Sequence, residues 1–295
     1  MYKRQISCVN TDDNTAINFN AIYGGFIIDT IDGIYESAAN LNTTEYGATD
    51  GSHYSSTVVP KRNIVITGRI LSDYKKKRDM LYRVFRPGSS GRFEYTEEGE
   101  TRVIDYRMER CTIEDPEDRS KIRAVEISLI CPDPYFRGVQ DVKVVMAAWL
   151  SQFEFPHQFL DGGEEFGVRS SSVMQTVTNE NGVNGIGMTI TIGATGPVTN
   201  PKLYHVEKGE FIAIGTDENP FSMDAQDQVV IETTTGKKRV HMIRNNVKTT
   251  IDEYLDPASE FIQLNTGENT LRYAADDGEV YMTVVIAYRM RYLGV

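Results

Sequence analysis

The chain is predicted to be mainly β, with an N-terminal β-rich domain carrying one helix and a C-terminal antiparallel β-sandwich. Three observations lead there. Its 295 residues include 16 Tyr and 12 Phe alongside plentiful Val, Ile and Thr, side chains that suit a pleated, half-buried surface. Alternation with period two recurs along the chain, whereas helical spacing is convincing in one segment only. From Met188 onward, short alternating runs follow one another at even intervals with turn residues between them, the pattern of a sandwich.

In chain order, Arg4–Val9 and Ala16–Phe19 read as short strands. Gly24-Gly25-Phe26-Ile27-Ile28-Asp29 reads as a stronger one, entered through a glycine pair that permits a bend. Residues 36–57 are rich in Ser, Thr, Asn, Gly and Ala and are expected to form a long loop, a feature that in compact domains is usually functional or disordered. Ile64, Ile66, Gly68 and Ile70 alternate with Asn63, Val65, Thr67 and Arg69, giving a clear strand. The helix follows. Ser72 is the expected N-cap, Tyr74, Arg78, Leu81 and Phe85 recur at helical spacing, and Pro87-Gly88 supplies the stop. Lys75, Lys76 and Lys77 crowd its first turn, where the helix dipole favours anions. They form either a solvated face flanked by Asp73 and Asp79 or a contact for an acidic partner surface. Arg92–Tyr95 and Arg102–Cys111 bracket Glu97-Glu98-Gly99-Glu100 as a hairpin, and Asp115-Pro116-Glu117-Asp118 makes a further turn.

The next strand places Val125, Ile127, Leu129 and Cys131 on one face and ends at Cys131-Pro132-Asp133-Pro134-Tyr135-Phe136. Two prolines remove two backbone donors and force an extended, stiff exit. This seam divides the chain into a domain over 1–136, a connector over 137–187 and a sandwich domain over 188–295. The connector holds Trp149, Phe153, Phe155, Phe159 and Phe166 at irregular spacing, punctuated by Pro156, Gly162, Gly163 and Gly167. The sandwich strands are expected at Met188–Ile192, Lys202–Val206, Glu210–Ile214, Val229–Glu232, Lys238–Met242, Phe261–Leu264, Asn269–Tyr273 and a long Tyr281–Tyr292.

Composition excludes several classes. The formal net charge is −11, most of the acidic excess lies after residue 135, and such a chain is a poor fit to nucleic-acid phosphates. No apolar run approaches the roughly 18 residues that span a bilayer, and the N-terminus lacks the apolar block of a secretory signal. Cys8, Cys111 and Cys131 form no C-x-x-C pair, which points to buried thiols rather than a disulfide frame or zinc site. His53, His157, His205 and His241 stand in no metal-binding frame. Gly182-Val183-Asn184-Gly185-Ile186-Gly187 lacks the spacing of a nucleotide loop, and Glu164-Glu165 and Asp276-Asp277 read as solvated turns. No residue is a candidate for catalysis, a cofactor or a metal, and the chain is expected not to be an enzyme.

An ordered set of segments carries a resemblance. Gly24-Gly25-Phe26, the stretch from Asp50-Gly51 to Arg62-Asn63-Ile64, the Leu81–Pro87 helix end and Cys131–Phe136 resemble, in that order, the ring domain of phage distal tail proteins. Phe153-Glu154-Phe155-Pro156, Phe166–Ser170, Val198–Pro201, Gly267-Glu268-Asn269 and Tyr292–Val295 resemble the C-terminal half of that family. The resemblance implies a structural virion protein at the distal end of the tail, assembled in the bacterial host cytoplasm. It implies a homohexameric ring, built from the N-terminal domain with a galectin-like sandwich projecting from it. The implied partners are the tail tube protein, the tail-tip hub protein and a receptor-binding protein, with DNA passing through unbound. Head-to-tail rings need two complementary patches per subunit. The segment 36–57, the hairpin Phe93–Glu109, and Lys75, Lys76, Lys77, Phe93, Tyr95 and Arg102 are the candidates for reaching a neighbour. Competing readings are a carbohydrate-binding adsorption module acting at the host surface and an envelope-degrading enzyme. The chain lacks the large C-terminal insertion of relatives that bind receptors.

Overall fold

The computed structural model describes residues 4–19, 25–47, 49–114, 122–151, 167–171, 173–180 and 183–295. Gly24, the Asp115–Asp118 turn, Phe153–Phe166 with His157 and Glu164-Glu165, and Gly182 lie outside the described residues. The chain divides into two compact units, Met1–Val139 with Arg291–Val295, and Gln140–Met290.

The first unit contains β1 (Gln5–Asn10), β2 (Ala16–Asn18), β3 (Phe26–Asp32), β4 (Asn40–Glu45), β5 (Ser52–Val58), β6 (Arg62–Ile70), α1 (Tyr74–Val84), β7 (Ser90–Glu97), β8 (Glu100–Ile113), β9 (Arg123–Cys131) and β10 (Phe136–Gly138). Its main sheet runs β2-β1-β7-β8-β9-β6-β3, with antiparallel pairing throughout. The alternation read from sequence becomes a buried face: Val125, Ile127, Leu129 and Cys131 on β9 join Ile64, Ile66 and Ile70 on β6 in one core. Helix α1 covers this core with Leu81 and Val84, and Phe85 packs at 6.3 Å from Phe19 and 6.4 Å from Tyr106. Close packing dictates Gly91, since a Cβ there would meet the Tyr106 ring at 2.2 Å. The helix begins one residue later than expected. Asp73 occupies the N-cap in a left-handed conformation without a side-chain cap, and the first turn holds no acid.

Two expectations change in this unit. The segment 36–57 is no structureless loop, because β4 and β5 pair with each other over most of it. The hairpin Phe93–Glu109 is no free arm, because β7 and β8 lie inside the main sheet, flanked by β1 and β9. Its turn is exposed, with Glu98 and Gly99 at φ 54° and 90°, the positive angles a two-residue hairpin turn requires, and β8 turns Asp105, Arg107 and Glu109 to the solvent face of the sheet.

Strand β9 ends at Cys131, as the two prolines that follow lead one to expect. After Cys131 the chain leaves β9, passes Pro132 and Pro134 and resumes at β10, where Phe136 is fully buried at 6.4 Å from Phe93.

The second unit contains β11 (Val142–Ser151), β12 (Gly167–Ser171), β13 (Met174–Asn179), β14 (Met188–Ala194), β15 (Val198–Thr199), β16 (Lys202–His205), β17 (Glu210–Ala213), β18 (Ser222–Met223), β19 (Gln228–Glu232), β20 (Arg239–Arg244), β21 (Val247–Thr250), β22 (Gly267–Ala274) and β23 (Met282–Tyr288). A seven-stranded sheet, β12-β11-β23-β14-β19-β20-β21, and a four-stranded sheet, β13-β22-β16-β17, share one hydrophobic core. Ile190, Ile231, Val284 and Ile286 from the first face Leu203, Ile212, Leu271 and Tyr273 from the second, which is a sandwich. The stretch read as a connector supplies strands to it: β11 pairs with β23, and β13 pairs with β22. Phe261–Leu264 forms no strand and contributes a single bridge, Ile186 to Leu264.

The last expected strand is two. β23 ends at Tyr288, and β24 (Arg291–Tyr292) belongs to the first unit, where it pairs with β10. Periodicity cannot show this break, since alternation continues through it while the pairing partner changes.

Candidate assembly surface

The most exposed element of the first unit is the hairpin β4–β5. Among the described residues neither strand pairs with any other strand, and every described residue from Tyr35 to Val58 is exposed. At about 3.3 Å per residue, six paired residues extend roughly 20 Å. Composition explains the lack of a buried face. Asn40-Leu41-Asn42-Thr43-Thr44-Glu45 against Ser52–Val58 offers β-forming Thr, Tyr and Val but no apolar alternation. Leu41 pairs with Thr57 and Thr43 with Tyr54, with a bulge shifting the register between Asn42 and Thr43. Side chains reinforce the pairing: Asn42 donates to Ser56 Oγ at 2.8 Å, and the Tyr54 and Thr57 hydroxyls bond at 2.6 Å. Leu41, Tyr46, Tyr54 and Val58 are each more than half exposed. A lone two-stranded hairpin is only marginally stable in water, and its unpaired edges are templates for another chain.

The root of the hairpin is anchored. Ile34 is buried. The Tyr35 hydroxyl bonds that of Tyr95 at 2.9 Å, Tyr95 donates to Glu97 Oε2 at 3.0 Å, and Arg4 donates to Glu97 Oε1 at 2.7 Å. Arg4 and Tyr95, as donors, hold the Glu97 carboxyl below its ordinary value. Gly33 sits at φ 84°, and a Cβ there would meet Asn63 O at 2.0 Å, so the entry to the root accepts only glycine.

The candidates from sequence separate into three groups. Lys75 and Lys76 are exposed on α1, and Lys77 lies with Nζ 5.1 Å over the Phe26 ring. Phe93 and Tyr95 are corrected: they are 0% and 3% exposed, packed in the core of their own unit. Alternation on β7 turns these two inward and leaves Arg92 and Glu94 on the other face. Arg102 is half-buried: its guanidinium lies 4.0 Å from the Tyr292 ring centroid and donates to Gly294 O at 2.8 Å. Sequence reasoning missed Arg62, which is buried and donates to four backbone carbonyls. Nothing in its neighbourhood in the sequence marks it, because an arginine opening a strand ordinarily faces water.

Groups able to perform chemistry are scattered. Among the described residues, no group of three or more His, Cys, Asp or Glu could hold a metal ion. His53 is exposed on the hairpin, while His205 and His241 are buried in the second unit. Burial, then Lys248 and Arg239, pushes His241 below its ordinary value. Cys8 and Cys131 are buried free thiols and Cys111 is half-buried. Desolvation pushes Cys111 up to about 11, which suppresses the reactive thiolate.

A family profile for the siphovirus-type tail component, C-terminal domain, matches residues 181–292. Another, for the phage tail protein RIFT-related domain, matches residues 19–131. No curated protein sequence matches the chain. Among solved structures, the fold is similar to SPP1 Dit (gp 19.1), described as a paradigm of hub adsorption apparatus in Gram-positive infecting phages. The TM-score is 0.69 at 13% identity, over 98% of this chain and 99% of that one. A chain of the phage P2 baseplate in its activated conformation with Ca is similar at TM-score 0.51 and 10% identity, over 99% of this chain and 100% of that one. With both profiles matching in order, over residues 19–131 and 181–292, the chain belongs to the siphovirus-type phage tail components, and it shares its fold end to end with SPP1 Dit.

Proposed function

We propose that this protein assembles as a hexameric ring that joins the tail tube to the tail-tip hub and carries the host-adsorption apparatus. The observation that supports this reading best is the β4–β5 hairpin, exposed along its length with both edges unpaired. A subunit that projects such an element needs a partner to cover it, and a head-to-tail ring supplies one from the next copy. The sandwich unit is the module available to hold receptor-binding proteins.

The test is assembly of the purified full-length chain, followed by light scattering and negative-stain electron microscopy. Six-fold rings are expected for the wild type. Replacing Leu41–Thr57 by a short Gly-Ser turn should leave a folded monomer. A wild-type protein that stays monomeric at all concentrations and binds saccharide would overturn the ring in favour of an adsorption module.

A further inference from the structure

Arg62 opens β6 opposite Cys131 in register and is 8% exposed. A guanidinium removed from water is normally matched by a carboxylate, yet the partners observed for Arg62 are backbone carbonyls. Its Nε donates to Pro134 O at 2.7 Å, in the seam. Nη1 donates to Gly33 O and, at 2.9 Å, to Glu36 O, both on the chain that enters the hairpin. Nη2 donates to Leu293 O, in the returning C-terminal segment. Beneath the fork lies the fully buried Phe136 ring, its centroid 5.3 Å from the Arg62 Cζ.

Three segments far apart in the chain therefore meet on one side chain. The fork is planar and rigid, so its donors fix direction as well as distance. Lysine, a point donor on a flexible stem, could not serve carbonyls on opposite sides at once. A buried cation is weak support for stability, since an apolar side chain of similar volume is often as good or better. What the fork adds here is a defined geometry at the root of a hairpin that no other strand flanks among the described residues.

Residues 293–295 complete the seat. Val295 N donates to Ile34 O at 3.3 Å, and Gly294 O receives Arg102. We infer that Arg62 is the positioning residue of the β4–β5 arm, clamping its root to the seam and to the 291–295 segment so that the arm leaves the unit in one direction. This rests on the reading of the hairpin as an assembly arm.

Hydrogen exchange and light scattering on the full chain test it, using Arg62→Met, Arg62→Lys and the Gly-Ser replacement of the arm with Arg62 intact. Loss of charged hydrogen bonds should raise exchange at residues 33–36 and 291–295 by about tenfold or more in Arg62→Met. Exchange in α1 and in the second unit should stay at the wild-type rate, and the assembled fraction should fall. Arg62→Lys should recover only part of both, and it carries the test if the Met variant does not fold. Wild-type exchange at both segments overturns the inference. So does an increase spread evenly over the first unit, which would mark a purely stabilising residue. If the arm replacement itself assembles like wild type, the arm reading fails, and local exchange alone then decides the clamp.

Discussion

Replacing Asn269 offers the sharpest check of the polar wiring inside the sandwich. The residue is fully buried on β22. Its amide orientation is determined by its partners: Oδ1 accepts the backbone N–H of Asn265 at 2.7 Å, so the other atom must be nitrogen. Nδ2 then donates to Asn265 O at 2.9 Å, Gly267 O at 3.0 Å and Val177 O at 3.3 Å. Oδ1 also lies 3.1 Å from His205 Nε2, which must therefore be the donor. His205 Nδ1 has no hydrogen-bond partner, although it stands 3.4 Å from the Glu207 carboxylate. Asn269→Ala removes this hub and strands buried carbonyls, an amide and the imidazole. At about 1–3 kcal/mol for each group left unsatisfied, with partial relaxation, the expected loss is about 3–4 kcal/mol. Asn269→Asp is the sharper variant. It keeps the shape and Oδ1 but turns the donor into a carboxylate oxygen facing backbone carbonyls, so it should be at least as damaging as alanine. The sole tryptophan, Trp149, lies on β11 of the same unit, so fluorescence-monitored urea unfolding reports on it. Loss below about 1 kcal/mol for both variants, within the range of an ordinary surface change, would refute the wiring.

Other outcomes follow from the same structure. Asp227 is held below its ordinary value by hydrogen bonds from Arg244, and Asp276 by Lys202 and Asn200. Carboxyls with a lowered folded-state value stabilise above their unfolded value of about 3.9 and lose that contribution as pH falls through the folded one. Stability of the second unit should therefore drop below about pH 4, and Asp227→Asn should flatten that drop in unfolding curves taken across pH. Phe93→Ala should cost about 3–5 kcal/mol in thermal or urea unfolding, as a core truncation; a stable, assembly-deficient variant would restore Phe93 as a contact. Leu41→Ser and Tyr54→Ser should each change monomer stability by no more than about 0.5 kcal/mol, while lowering the assembled fraction in sedimentation. Unaltered assembly in both would remove the hairpin from the interface.

Much of the architecture was legible. Val125, Ile127, Leu129 and Cys131 alternate because β9 buries one face, and Met188–Ile192 does the same in the sandwich. Helix α1 was visible because Leu81, Val84 and Phe85 share a face. The β4–β5 pair was hidden because both its faces meet solvent, so polar residues fill both and no alternation survives. Strand β11 was obscured by a bulge between Val145 and Ala147, which breaks the period of two. Of the proposed contacts, Lys75 and Lys76 remain available on the surface, whereas Phe93 and Tyr95 were misassigned because aromatic side chains suit a core and an interface equally.

The sequence by itself determined the mainly β class, the end of a strand at Cys131 before Pro132 and Pro134, and membership in a family of phage tail components. Those properties follow from local periodicity, from proline's missing donor, and from short ordered markers that a linear reading can see. Tertiary structure alone decided that β24 returns to the first unit, that β4 and β5 pair as a hairpin, and that Arg62 is buried. Whether an arginine is buried depends on what receives its protons. For Arg62 the acceptors are carbonyls as far as 231 positions away, and a backbone carbonyl, carried by every residue alike, leaves no mark in a sequence.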